Sequence, residues 1–266
     1  MIRALENLTG RMSLIKRADG YEDDMGQGRD FWDVMLDRYG LSVDVLDGAL
    51  SNIPQDGPLI VIANHPYGIL DGLIMGHLLS KRRPDFRILA NSVFDGVDDL
   101  SRNVLPLRFD ATSDAMKQNL ATRKQALDYL KTGGAIGVFP GGTVSTGATP
   151  FSHPLDPSWR KFMARLVSKS KATVVPIYFD GHTSRLFQIA SHVHANLRLG
   201  LLINEFKNRV DTPVRIVVGT PIAQCELQKR AYDAREMMDF LRASTYSLSP
   251  KPLKSMENGY DFENRC

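Results

Sequence analysis

The stretch that most constrains this fold runs from Pro58 to Gly72 and reads PLIVIANHPYGILDG. Leu59 to Ala63 is apolar at every position, as strands buried on both faces of a parallel sheet are. The run leads into Asn64 and His65, then into a turn-rich Pro66-Tyr67-Gly68. Asp71 follows at the start of a helical pattern in which Leu70, Leu73, Ile74, His77 and Leu78 share one face. A buried strand thus delivers a histidine to a loop, with a carboxylate a few residues on.

The same strand-then-helix pattern recurs along the 266 residues. Further strands are expected at Leu41–Leu46, Phe86–Ala90, Val104–Phe109 (interrupted by Pro106), Ala135–Phe139, Thr173–Phe179 and Val214–Val218. Helices are expected over Asp30–Tyr39 with Asp30 as the cap, Val93–Leu100, Ser113–Lys131, Trp159–Ser168, Ser191–Val210 and Glu226–Tyr246. Gly133-Gly134 ends the third of these. Alternation of this kind predicts an α/β fold: one domain with a mixed, largely parallel sheet flanked by helices. We place that domain at 41–248, after an N-terminal arm and amphipathic helix at 1–40 and before a loose C-terminal tail at 249–266.

Composition narrows the function classes. A net charge of +3 is too weak to argue for nucleic acid, though it suits an anionic membrane surface or a phosphorylated substrate. The two cysteines, Cys225 and Cys266, offer neither a disulfide framework nor a metal spacing, so a reducing compartment is expected. No apolar run approaches the roughly 18 residues of a spanning helix, and the N-terminus lacks the apolar core of a signal peptide. Membrane contact is therefore expected to be peripheral, through the first 40 residues.

His65 and Asp71 are the leading chemical pair. A neutral imidazole can take a proton from an attacking hydroxyl while a carboxylate on its other nitrogen fixes the tautomer. On spacing alone, a capped turn and a capped helix are the favoured account of the two residues. Gly141-Gly142 past the strand at Ala135–Phe139 lets backbone N–H groups approach a ligand, although glycine pairs more often simply turn. Arg108, Arg160 with Lys161, and Lys81-Arg82-Arg83 are the basic groups able to meet a phosphate or carboxylate. His77 reads as a core residue, and His192 with His194 lacks a third ligand nearby, so no metal site is expected. His182 in FDGHTS follows a strand. The chain has no Gly-x-Ser-x-Gly elbow, Walker loop or dinucleotide fingerprint.

Five stretches in order resemble the glycerophospholipid acyltransferase superfamily. Asn64-His65-Pro66 to Asp71 is similar to its His–Asp signature, and Leu105 to Asp110 to its arginine-bearing second block. Val138-Phe139-Pro140-Gly141-Gly142-Thr143 resembles its Phe-Pro-Glu-Gly-Thr block. Val174-Val175-Pro176-Ile177 and Val217 to Ile222 resemble its fourth block and its closing Gly-x-Pro-Ile. Two positions depart: five residues separate His65 from Asp71 instead of four, and Gly141 stands where a glutamate is usual. Both departures are similar to the hemolysin-like and ornithine-lipid branch, as is Trp159-Arg160-Lys161.

The resemblance implies transfer of an acyl group from a thioester, on acyl carrier protein or coenzyme A, to the hydroxyl of a lyso-lipid. The acceptor would be an ornithine-type or other amino-acid lyso-lipid, or a lysophospholipid. It implies no cofactor beyond that co-substrate and a place on the cytoplasmic face of a membrane. His65 would be the base and Asp71 its partner. Asn64, Arg108, Gly141, Gly142 and Thr143 would bind substrate, with Arg108 at an anionic head group and the 141–143 backbone at the oxyanion. A lipid-binding protein with degraded chemistry and a thioesterase or lipid hydrolase are the alternatives.

Overall fold

The computed structural model describes residues 6–7, 9–91, 102–108 and 112–262. The helix expected at Val93–Leu100, Phe109 and Asp110 of the second block, and Cys266 lie outside them.

Seven strands form one sheet: β1 (Ser42–Gly48), β2 (Leu59–Ala63), β3 (Arg87–Asn91), β4 (Val104–Leu107), β5 (Ala135–Val138), β6 (Thr173–Phe179) and β7 (Pro213–Val218). Their order is β1-β7-β6-β2-β5-β3-β4. The five strands from β6 to β4 run parallel, while β7 lies antiparallel to β6 and carries β1 beside it. β2, the most apolar strand, occupies the centre with β5 and β6 on either side.

The described helices are α1 (Arg11–Ala18), α2 (Tyr21–Gly26), α3 (Phe31–Arg38), α4 (Ile69–Ser80), α5 (Ser113–Lys131), α6 (Phe162–Ser170), α7 (Arg185–Val193), α8 (Ala195–Lys207), α9 (Gln224–Lys229) and α10 (Ala234–Tyr246). The period-2 alternation of β2 divides the core in two. Leu59, Val61 and Ala63 face one layer with Leu14 of α1, Trp32 and Leu36 of α3, Ile74 and Leu78 of α4 and Phe206 of α8. Ile60 and Ile62 face the other, with Ala126 and Leu130 of α5, Met163 and Leu166 of α6, Leu227 of α9 and Met238 and Leu241 of α10. The result is a helix–sheet–helix sandwich.

The structure differs from expectation at four places. The long C-terminal helix is two, α9 and α10, with Asp233 capping the second by accepting the amides of Arg235 and Glu236. The helix expected at Ser191–Val210 is also two, broken at His194, which leaves helical backbone angles and caps α8 through the Asn196 amide. The tail is docked: Gly259 and Tyr260 donate to the carbonyls of Asp156 and Thr146 at 2.8 and 2.9 Å, and Arg242 holds the Met256 carbonyl. Finally, α3 cannot offer its apolar side to a bilayer. Trp32, Val34 and Leu36 are spent on the core, where Trp32 packs so closely on Gly76 of α4 that no Cβ would fit.

Candidate active site

β2 ends at Ala63, and the next residue fixes the loop. The Asn64 side chain accepts from the Phe179 amide at 2.7 Å and donates to its carbonyl at 3.0 Å, extending the β2–β6 ladder through a side chain. Asn64 is buried with both amide atoms bonded to backbone, which positions the loop. His65 follows, its carbonyl accepting from Ser145 and its ring stacked on Phe139 with centroids 4.2 Å apart.

The five-residue spacing closes through Gly68. Its φ of 77° and ψ of −117° are open to glycine at little cost, and a Cβ there would meet Leu202 at 2.8 Å and Val144 at 3.0 Å. With that turn made, α4 starts at Ile69 and Asp71 sits in its first turn. One carboxylate oxygen, Oδ2, takes three bonds: from the Tyr67 and Gly68 amides at 2.8 and 2.9 Å, and from His65 Nδ1 at 2.9 Å. Oδ1 is buried with no partner. Burial pushes the Asp71 carboxyl above its ordinary range, against the pull of His65 and the two amides. The imidazole is 18 % exposed and Asp71 fully buried, so the ring stands between the carboxylate and solvent.

His65 lines a cleft of about 210 Å³ at the carboxyl ends of β2, β3 and β5, where ligands collect in open parallel sheets. Its walls are mostly apolar, including Ile69, Leu89, Leu107, Phe139, Phe162 and Leu202. Gly142, Thr143 and Val144 form another side. The amide of Gly142 is already spent on the Phe139 carbonyl, so on that wall the Thr143 and Val144 amides are the candidates to meet a ligand.

Two of the sequence-derived site residues lie elsewhere. Arg108 is not on the cleft wall although its neighbour Leu107 is; its backbone is clamped by Asn119 at 2.8 and 2.6 Å. Gly141 faces away, against Asp156, whose carboxyl lies 3.2 Å from where a Cβ at 141 would stand. Among the described residues, the arginines on the cleft wall are Arg160 and Arg198. His77 pairs with Asp33 of α3 at 2.9 Å, His192 Nε2 donates to the Gly147 carbonyl at 3.0 Å, and His182 joins His153 and Arg185 in a separate cavity of about 710 Å³ without His65.

Sequence reading missed Asp156 and Arg198. Asp156 Oδ1 accepts from the His65 amide at 3.2 Å and from Ser145 Oγ at 2.5 Å, and Oδ2 from Trp159 Nε1 at 2.9 Å. Its own amide donates to Tyr246 Oη of α10. Arg198 is 7 % exposed and lies between Phe187 and Phe262. Its guanidinium donates to Thr146 and Ser191 hydroxyls at 2.7 and 2.9 Å, and to Thr143 Oγ1 and the Val144 carbonyl at 2.9 and 2.8 Å. Burial pulls it down to about 9, so it is charged at neutral pH. Together the two hold the 139–158 loop against the histidine. Neither announces itself locally: Asp156 lies between prolines and Arg198 in an ordinary helical run.

The chemistry available is a base oriented by a carboxylate, beside an apolar cleft walled by backbone amides. The family model for acyltransferases matches residues 47–180, half of the chain. The chain is 24 % identical over 236 residues to a lyso-glycine lipid O-acyltransferase of Phocaeicola vulgatus, covering 83 % of this chain and 78 % of that one. It is 26 % identical over 210 residues to a protein of the same name from Bacteroides thetaiotaomicron, covering 73 % and 71 %. Its fold is similar to that of a 1-acyl-sn-glycerophosphate acyltransferase from Thermotoga maritima, with a TM-score of 0.52 at 17 % identity over 95 % of this chain and 97 % of that one. With family match, relatives and fold in agreement, this chain belongs to the acyltransferase family.

Proposed function

We propose that the protein transfers a fatty acyl group from an acyl thioester to the hydroxyl of an amino-acid lyso-lipid at a membrane surface, with His65 as general base. The observation that carries this is the 2.9 Å pair between His65 Nδ1 and Asp71 Oδ2 at the head of an apolar cleft. The acceptor class follows from the relatives, which are lyso-glycine lipid O-acyltransferases.

The geometry supports the following sequence. Asp71 accepts the Nδ1 proton, which leaves the Nε2 lone pair for the substrate. The acceptor hydroxyl gives its proton to Nε2 as its oxygen bonds to the thioester carbon. The oxyanion that forms is met by backbone N–H groups of Thr143 and Val144. The C–S bond then breaks, and the thiolate leaves with the proton held on Nε2. A positioned base of this kind contributes about 10² to 10⁴ in rate. Asp71, hydrogen-bonded to Nδ1, stabilises the imidazolium between the two proton transfers.

The test is product analysis. Purified protein, an acyl thioester and a panel of lyso-lipids are incubated, and products are read by mass spectrometry. The expected product is the diacyl amino-acid lipid, formed only with acceptor present. Free fatty acid released without acceptor makes the protein a thioesterase. Lipid bound without product makes it a binding protein.

A further inference from the structure

A further groove adjoins the cleft and has no place in the reaction just described. It lies between α5 and α6, has a volume of about 910 Å³, and shares Leu89 and Phe162 with the His65 cleft. Lys117, Arg123 and Lys124 line it from α5, and Lys161, Arg165 and Lys169 from the α6 side. Among the described residues no aspartate or glutamate lines it. Its floor is apolar; Leu120 on its lining is 68 % exposed, and Met116, outside it on α5, is 64 % exposed.

We propose that this groove docks an acidic carrier protein, whose acyl-bearing phosphopantetheine arm passes Leu89 and Phe162 into the cleft. The proposal rests on the acyl-transfer reading above and names the donor for it. Charge excludes the acceptor as occupant: a lipid with one head-group carboxylate does not need six cations. Shape argues against a single nucleotide. Lys117 to Lys124 spans about 10 Å of helix and Lys161 to Lys169 about 12 Å, at about 1.5 Å per residue. The cations therefore form two rows along a trough instead of one cluster around a phosphate. A trough with an apolar floor and charged walls is the form that receives an amphipathic helix. Exposed Leu120 on its lining and Met116 outside it carry the apolar strip to the surface, as a protein contact requires and a buried ligand does not. Opposite charge on the two faces also steers encounter, raising the on-rate at low salt.

The test compares the intact protein with a K124E/R165E variant. Both residues are exposed on the groove walls and neither touches the His65 site. KM is measured for an acyl-carrier-protein donor, an acyl-coenzyme A donor and the lyso-lipid. Binding of the unacylated carrier is titrated at low and high salt, and thermal melting checks the fold. The expected result is a rise of about tenfold or more in carrier-donor KM, with matching loss of salt-sensitive carrier binding. Acceptor KM and kcat at saturating donor stay within twofold. Unchanged carrier KM and binding overturn the proposal. So does a loss confined to acyl-coenzyme A, which makes the groove a nucleotide site, or a loss confined to binding of phosphatidylglycerol vesicles, which makes it a membrane face. The titration needs no turnover, so carrier binding through the groove without any acyl transfer refutes the acyl-transfer reading and leaves the docking face standing.

Discussion

Replacing Asp71 by asparagine separates charge from geometry at the centre of the site. All three bonds to the carboxylate fall on Oδ2, and Oδ1 has none. An asparagine therefore places its carbonyl at the Oδ2 position, keeps the Tyr67 and Gly68 amides satisfied, and still accepts the His65 Nδ1 proton. The tautomer survives and the negative charge is lost, while the new Nδ2 stands at the buried, partnerless Oδ1 position and lowers stability by about 1–3 kcal/mol at every pH. A hydrogen bond to a charged group contributes about 1.5–3 kcal/mol and a neutral one about 0.5–1.5. The difference, about 1–1.5 kcal/mol, is roughly 5- to 13-fold in kcat. Asp71→Ala removes the acceptor altogether, frees the ring and forfeits most of the 10² to 10⁴ that a positioned base supplies.

Stability moves the other way. Burial raises the Asp71 carboxyl above its ordinary 3.8, so the folded state holds its proton more tightly than the unfolded chain. That contribution is fully present below the unfolded value and is lost as pH rises through the folded one. The asparagine side chain does not titrate, so D71N gains in melting temperature on the native protein as pH rises above the unfolded value of 3.8. Steady-state kcat with both substrates saturating, together with melts across that range, tests both halves. If D71N is as inactive as D71A, or loses ground in its melts as pH rises, the reasoning is wrong.

Three further substitutions probe the supports. Gly141→Glu introduces the glutamate usual in the family; because Asp156 lies 3.2 Å from the new Cβ, it should lower stability by about 1–3 kcal/mol and reduce transfer, as melting and kcat will read. Gly68→Ala places a side chain at φ 77° against Leu202, and should cost about 1–3 kcal/mol while lowering kcat through the displaced Asp71. Arg198→Lys keeps the charge and loses the fork on Thr143, Val144, Thr146 and Ser191; it should lower kcat about tenfold with acceptor KM little changed, whereas a loss in KM alone would make Arg198 a head-group contact.

What was legible in the sequence was local. The unbroken apolar run of β2, the helix of α5 with its glycine stop, and the His65–Asp71 pair all sit within windows of fewer than about 20 residues, where periodicity and turn chemistry act. The extra residue between His65 and Asp71 posed a question that Gly68 answers by taking a positive φ. What was illegible was long-range. Asp156 is 91 residues from His65, and Arg198 is 55 from Thr143. No pattern in either neighbourhood reports those partners. The docked tail escaped for the same reason, since Gly259 and Tyr260 bond to backbone carbonyls that any sequence would supply. The amphipathic pattern of α3 marks an apolar face, but pattern alone does not say whether core or membrane covers it; Trp32 on Gly76 shows the core taking that residue.

The central claim is that His65 takes the proton of the attacking hydroxyl. Single-turnover acyl transfer to the lyso-lipid by His65→Ala, with donor prebound and melting monitored alongside, tests it most directly. The account predicts a fall of at least about 10²-fold in the rate of transfer with the fold intact. Transfer at a rate within a few-fold of the native protein, by a variant that remains folded, would contradict it.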